Sequence, residues 1–99
     1  YPPVARDLAL VVDREVLAET VRRRLREAAV EAAGGAFEVE SVGVFDVYAG
    51  SGLPEGKKSL AFSLVFRSDE RTLNDKEVNR VFDRIQQDVT RETGYAVRS

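Results

Sequence analysis

The sequence contains no cysteine and no histidine. The first absence removes any disulfide framework and any thiolate chemistry, and it fits a reducing compartment such as the cytoplasm. The second is the sharper constraint, because histidine is the usual general base near neutral pH and a frequent zinc ligand. Only carboxylates, lysines and tyrosines remain for chemistry, so no catalytic residue and no metal site is expected in this chain. No apolar run approaches the roughly 18 residues of a membrane span, and no signal-peptide pattern opens the sequence. A membrane partner is therefore not expected. An excess of positive charge is missing too, since 15 Lys+Arg stand against 17 Asp+Glu for a net charge of −2. A protein gripping long duplex nucleic acid through phosphates is normally basic. Any RNA contact should then be small and local, made more to bases than to backbone.

What is present is an ordinary globular balance. Ninety-nine residues, 43% apolar and 32% charged, are enough for one modest core and too few for two. Residues 1–99 are read as a single domain. The start at Tyr1-Pro2-Pro3, without Met, is expected of a piece cut from a longer polypeptide.

The periodicities alternate between two and 3.6. From Asp7 to Asp13, Leu8, Leu10 and Val12 alternate with Asp7, Ala9 and Val11, which predicts a strand. From Val16 to about Ala33 the residues Leu17, Val21, Leu25, Ala28 and Ala32 form one helical stripe, stopped by Gly34-Gly35. Phe37 to Tyr48 returns to alternation, with Phe37, Val39, Phe45 and Val47 expected on one side. Val42, Val44, Asp46 and Tyr48 are expected on the other, with Gly43 as a candidate bulge.

Gly50 to Gly56, with three glycines and Pro54, predicts a turn. Lys58 to Arg67 is then the clearest strand, with Leu60, Phe62, Leu64 and Phe66 on one face. Asn74, followed three residues later by Glu77, predicts a capped helix start. That helix carries Val78, Val81, Phe82, Ile85 and Val89 inward and ends near Gly94, leaving Tyr95 to Arg98 for a short last strand. The order β-α-β-β-α-β, with two amphipathic helices to bury, predicts an α+β, ferredoxin-like sandwich. Its four-stranded antiparallel sheet has both helices on one face, the first and third strands in the middle, and an open opposite face. Ala9, Val11, Ala61 and Ser63 give that open face a flat floor, with Asp46, Tyr48 and Ser59 at one end.

Candidate functional residues gather there, and each has a plainer reading. Tyr48 can stack on a base, worth roughly 1–3 kcal/mol, or simply close a strand end against the Gly50 turn. Asp46 can accept hydrogen bonds from a base edge or stand as a strand-end carboxylate, and Ser59 opens the next strand beside both. Lys57 and Lys58 can meet phosphate or remain a solvated pair. The glycines and lysines of Gly52…Gly56-Lys57-Lys58-Ser59 do not make a phosphate-binding P-loop. Three residues rather than four separate the glycines, Lys58 follows Lys57 where Ser or Thr is needed, and a strand follows rather than a helix. The aromatics of the third strand, Phe62 and Phe66, share parity with Leu60 and Leu64, so the stacking pattern of an RNA-recognition motif is absent. Arg22, Arg23, Arg24 and Arg26 look basic, but Glu19 and Glu27 lie at helical pairing distance from Arg23, as on a solvated face. Asp69, Glu70, Asp75 and Glu77 surround a helix start and read as capping and dipole partners.

Several ordered blocks together resemble one family. They are Tyr1-Pro-Pro-Val-x-Arg6-Asp7-Leu-Ala-Leu, Phe45-Asp-Val-Tyr48, Gly56-Lys-Lys-Ser-Leu-Ala61, Phe66-Arg67 and Arg71-Thr-Leu-x-Asp75-x-Glu77-Val-Asn79. The family is the ferredoxin-fold anticodon-binding domain, found at the C-terminus of the bacterial phenylalanyl-tRNA synthetase β subunit, and the likeness spans essentially the whole chain. It implies a non-catalytic domain of an α2β2 class II ligase that uses ATP and magnesium at a site in its α subunit. It implies no cofactor in the domain itself. The partners implied are the rest of the enzyme and the anticodon loop of phenylalanine tRNA, with residues of the kind found at Asp46, Tyr48 and Ser59 making the RNA contacts. Weak binding by the domain alone is expected, with useful affinity when the rest of the enzyme holds the tRNA. The principal alternative is a protein-docking module whose open face, including Val42, Val44 and Val65, is covered by another protein. An acylphosphatase-like enzyme is a third, but Asp13-Arg14-Glu15-Val16 lacks a glycine cradle for an anion.

Overall fold

The two most regular alternations of the sequence form the two central strands. In the computed structural model, which describes residues 1–98, the order is β1 (Val4–Asp13), α1 (Ala18–Ala33), β2 (Glu38–Tyr48), β3 (Lys57–Arg67), α2 (Asp75–Thr93) and β4 (Ala96–Val97). The sheet runs β2-β3-β1-β4 and every neighbouring pair is antiparallel. This is the expected ferredoxin-like arrangement, with the first and third strands inside. β1 is longer than its Asp7 start predicted, because Val4 and Arg6 pair with Phe66 and Leu64.

One face of the sheet carries the core. Leu8, Leu10 and Val12 of β1 and Leu60, Phe62, Leu64 and Phe66 of β3 are buried together with Val21, Leu25, Val78, Ile85 and Val89 of the helices. Burying side chains of this size stabilises by roughly 1.5–3 kcal/mol each. Phe37 closes the end of that layer, its ring edge-on to Phe66 at 5.7 Å between centroids. In α1 the stripe falls as expected at Val21, Leu25 and Ala28 and continues through Ala29 and Ala33. Leu17, expected on that stripe, is instead the N-cap residue, and it is exposed because its backbone is extended rather than helical.

α2 begins where its signature predicted. Asn74 Oδ1 accepts from the Glu77 amide at 2.8 Å and Glu77 Oε2 accepts from the Asn74 amide at 3.1 Å, a reciprocal capping box. Arg71 donates to both carboxylate oxygens of Glu77 at 2.6 and 2.7 Å. That guanidinium, and secondarily the Asn74 amide, hold the Glu77 carboxyl down at about 2. Arg6 of β1 reaches the same helix start, donating to Asn79 at 3.0 Å and to Asp75 at 3.2 Å. Much of the Arg71–Asn79 block is thus occupied in fastening α2 to β1. Gly94, in the left-handed conformation, ends the helix.

β2 departs from the expected alternation. Its register against β3 shifts twice, between Val39 and Ser41 and again between Val44 and Asp46, leaving Glu40 and Phe45 as extra residues. Each bulge reverses which face the following residues take. Val39, Val42, Val44 and Val47 consequently stand opposite Phe66, Leu64, Phe62 and Leu60, all on the helix side. Val42 and Val44 do not share a face with Asp46 and Tyr48, contrary to the simple alternation. Gly43, the candidate bulge, pairs regularly with Ser63.

Candidate nucleic-acid interface

On the face away from the helices, register places the side chains in rows across the strands. Tyr48, Ser59, Val11 and Ala96 form one row, and Asp46, Ala61 and Ala9 form the next. Arg98 extends the second row, because its amide donates to the Ala9 carbonyl at 2.9 Å. Asp46, Tyr48 and Ser59 are therefore neighbours, and the floor beside them is made of small residues. Phe45 occupies the bulge, and it is this extra residue that returns Asp46 and Tyr48 to the open face.

The Tyr48 ring is held at its phenol end. Its hydroxyl donates to the Ser51 carbonyl at 2.7 Å, across the turn that joins β2 to β3. The turn passes so near the phenol that a Cβ on Gly50 would lie 3.5 Å from the Tyr48 oxygen. Gly50 also has φ +151°, a conformation L side chains rarely adopt, so any other residue there would be strained. The strand-closing role does not bury the residue: the hydroxyl closes the turn while Tyr48 stays partly exposed over the sheet.

Arg98 is the functional candidate that sequence reasoning missed. Its guanidinium lies over the Tyr48 ring, 4.7 Å from the centroid, a cation–π contact. Three strand spacings of about 4.8 Å separate β4 from β2. The two side chains can meet only by reaching inward over β1 and β3, which the small residues Ala9, Ala61 and Ser59 permit. Ser59, on a face that no helix covers, is nevertheless only 3% exposed, as expected of a residue lying beneath that contact. No periodicity singles out Arg98, because β4 has two residues and the contact joins opposite edges of the sheet.

The lysines separate. Lys57 has the open-face parity of Ser59, and its ammonium is 2.5 Å from Asp13. Lys58 pairs with the buried Val12 and belongs to the helix side. The register does not bring it to the row containing Tyr48. Asp46 is exposed beside Tyr48. Three of the four arginines of α1 are engaged with carboxylates: Arg22 and Arg23 with Glu19, and Arg24 with Glu92. Of the three valines of the docking alternative, Val42 is buried in the core and Val44, though exposed, faces the helix side, while Val65 keeps the open-face parity opposite Ala5.

Gly56-Lys57-Lys58 leads into β3 and not into a helix, so the phosphate cradle of a P-loop is not formed. Among the described residues no three of His, Cys, Asp and Glu group to hold a metal ion. No helix among them is long and apolar enough to cross a membrane.

Comparison with known proteins matches residues 1–98 to the ferredoxin-fold anticodon binding domain. The phenylalanine–tRNA ligase beta subunit of Clostridium tetani is 44% identical over 98 residues, covering 99% of this chain and 12% of that protein. That of Geobacillus kaustophilus is 45% identical over 98 residues, covering 99% and 11%. That of Corynebacterium efficiens is 52% identical over 79 residues, covering 80% and 9%. The chain thus spans about an eighth or less of the length of these relatives.

Proposed function

Because the chain belongs to the ferredoxin-fold anticodon-binding domain family, we propose that it binds the anticodon loop of phenylalanine tRNA through the open face of its sheet. Its relatives are phenylalanine–tRNA ligase beta subunits, and in this reading the chain serves as one domain of such a subunit in a cytoplasmic enzyme. The parent ligase is a class II α2β2 assembly that joins phenylalanine to tRNA with ATP and magnesium at a site outside this chain. The domain contributes no catalytic group. Its part is to hold the far end of the tRNA, so that the acceptor end is presented to the catalytic site in the right register.

The observation that carries this reading is the half-exposed Tyr48 ring, fixed by its hydroxyl and flanked by Asp46 and Ser59 over a floor of small residues. A fixed ring loses little freedom when a base stacks on it. Asp46 supplies acceptors for a base edge. The face offers few cations, which suits recognition of a short single-stranded loop better than of a long duplex.

The test is a titration of the isotope-labelled chain with an anticodon stem-loop of phenylalanine tRNA, followed by backbone amide shifts. Salt-sensitive shifts are expected at Asp46, Tyr48 and Ser59, and they should fall away with a scrambled anticodon. Shifts confined to Arg22–Arg26 of α1 would show electrostatic contact alone, and no shifts would remove the proposal.

A further inference from the structure

The open face has a charge problem that Arg98 solves. Around Tyr48 it presents Asp46 and the Asp13–Lys57 pair, whose charges cancel, and farther along β1 it presents Asp7, opposite Ser63. An RNA loop brings a phosphate with every nucleotide, and such a face by itself repels it. Arg98 is a cation already in place at the ring. It is exposed and, among the described residues, has no carboxylate within ion-pairing distance. Its contact is with the ring of Tyr48 at 4.7 Å.

That contact also sets a steric condition. A base cannot stack on the ring face that the guanidinium covers until the guanidinium moves. We propose that Arg98 is a displaceable cover of Tyr48 and the phosphate-contacting cation of the RNA site, resting on the ring in the free protein and turning to the RNA backbone when a base takes the ring. The inference rests on the RNA-binding reading above. Displacement is cheap, because an exposed cation–π contact corresponds to only about a two- to fivefold bias, whereas stacking a base on an aromatic ring is worth from about fivefold to more than a hundredfold. The displaced side chain stays at the site, since its backbone remains tied to Ala9 by the amide hydrogen bond at 2.9 Å. Arginine suits both states, having a planar, weakly hydrated head for the ring and a forked set of donors for phosphate.

The experiment compares Arg98→Ala, Arg98→Lys and Tyr48→Leu in binding to the anticodon stem-loop over a range of salt concentrations, with Arg98 side-chain proton shifts followed in the parent chain. In the free protein those protons should be displaced by the ring current, normal in Tyr48→Leu, and should return toward normal as RNA is added. Arg98→Ala should weaken binding of the native loop about two- to tenfold. It should also lower the salt slope by about 0.7, the value for one phosphate contact to a single strand. Arg98→Lys should retain the slope. If Arg98→Ala leaves affinity and slope unchanged while Tyr48→Leu weakens binding, the role of Arg98 is overturned and the RNA site stands. If neither variant changes binding, the RNA does not bind at the Tyr48 face and that part of the RNA-binding reading fails. Ring-current shifts that persist in the complex would overturn the displacement.

Discussion

Replacing Tyr48 by leucine removes the π face while keeping an apolar side chain at the end of β2. Stacking a base is worth about 1–3 kcal/mol, but a base must first displace the Arg98 guanidinium, which costs about 0.5–1 kcal/mol at an exposed site. Taking the middle of each range, the net loss of RNA affinity should be about 1.25 kcal/mol, or roughly eightfold. Tyr48→Phe keeps the ring and loses only the hydroxyl bond to the Ser51 carbonyl. That change should weaken RNA binding less than about threefold and cost about 0.5–1 kcal/mol of stability. The pair thus separates the ring from the hydroxyl. The assay is titration of the stem-loop into each variant, with urea denaturation confirming the fold. If the chain serves in a phenylalanine–tRNA ligase as proposed, Tyr48→Ala in that enzyme should raise KM for tRNA and leave phenylalanine activation untouched. Equal affinities for the parent, Tyr48→Phe and Tyr48→Leu would refute the stacking argument, since nothing else in that series preserves what the ring supplies.

Two further expectations concern the start of α2, at the other end of β1 from Tyr48. Asn74→Ala removes the side-chain acceptor for the Glu77 amide and should cost about 1 kcal/mol, or roughly 4–8 °C in Tm. Asn74→Gly should cost only a few tenths. Thermal unfolding measures both, and equal losses would mean that the cap is not what Asn74 contributes. The second is a pH dependence. Glu77 has its carboxyl lowered from the usual 4.5 to about 2, chiefly by Arg71. Its stabilising contribution should then be complete above about pH 4.5 and disappear as pH falls through about 2. The difference in urea midpoint between the parent and Glu77→Gln should be constant from pH 7 to 5 and shrink below that. A difference that grows on acidification would contradict the sign of the shift.

Most of the architecture was legible because it depends on neighbours in sequence. The alternation of Leu8–Val12 and Leu60–Phe66 fixed which faces of β1 and β3 are buried, and the Asn74–Glu77 box fixed where α2 begins. With those faces and two apolar helical stripes, covering one side of one sheet was the economical solution, and the order of strands followed. The proximity of Asp46, Tyr48 and Ser59 was legible as well, since a hairpin brings the end of one strand to the start of the next.

Tertiary structure decided what depends on a partner distant in the chain. β2 lies at the sheet edge, with β3 as its single strand partner, and can absorb extra residues at Glu40 and Phe45. Alternation alone cannot reveal such residues, because a bulge is a property of two strands and not of one. They send Val42 and Val44 to the helix side while Asp46 and Tyr48 stay on the open face. Lys57 and Lys58 are adjacent in sequence yet face opposite sides, because β3 already begins at Lys57. Arg98 meets Tyr48 only because β4 returns to the far edge of the sheet and the residues between are small. The sequence by itself determined the order of elements, most of the core and the family. The covered state of the Tyr48 ring, and the cation that covers it, arise from packing across four strands, and no local pattern encodes a contact of that range.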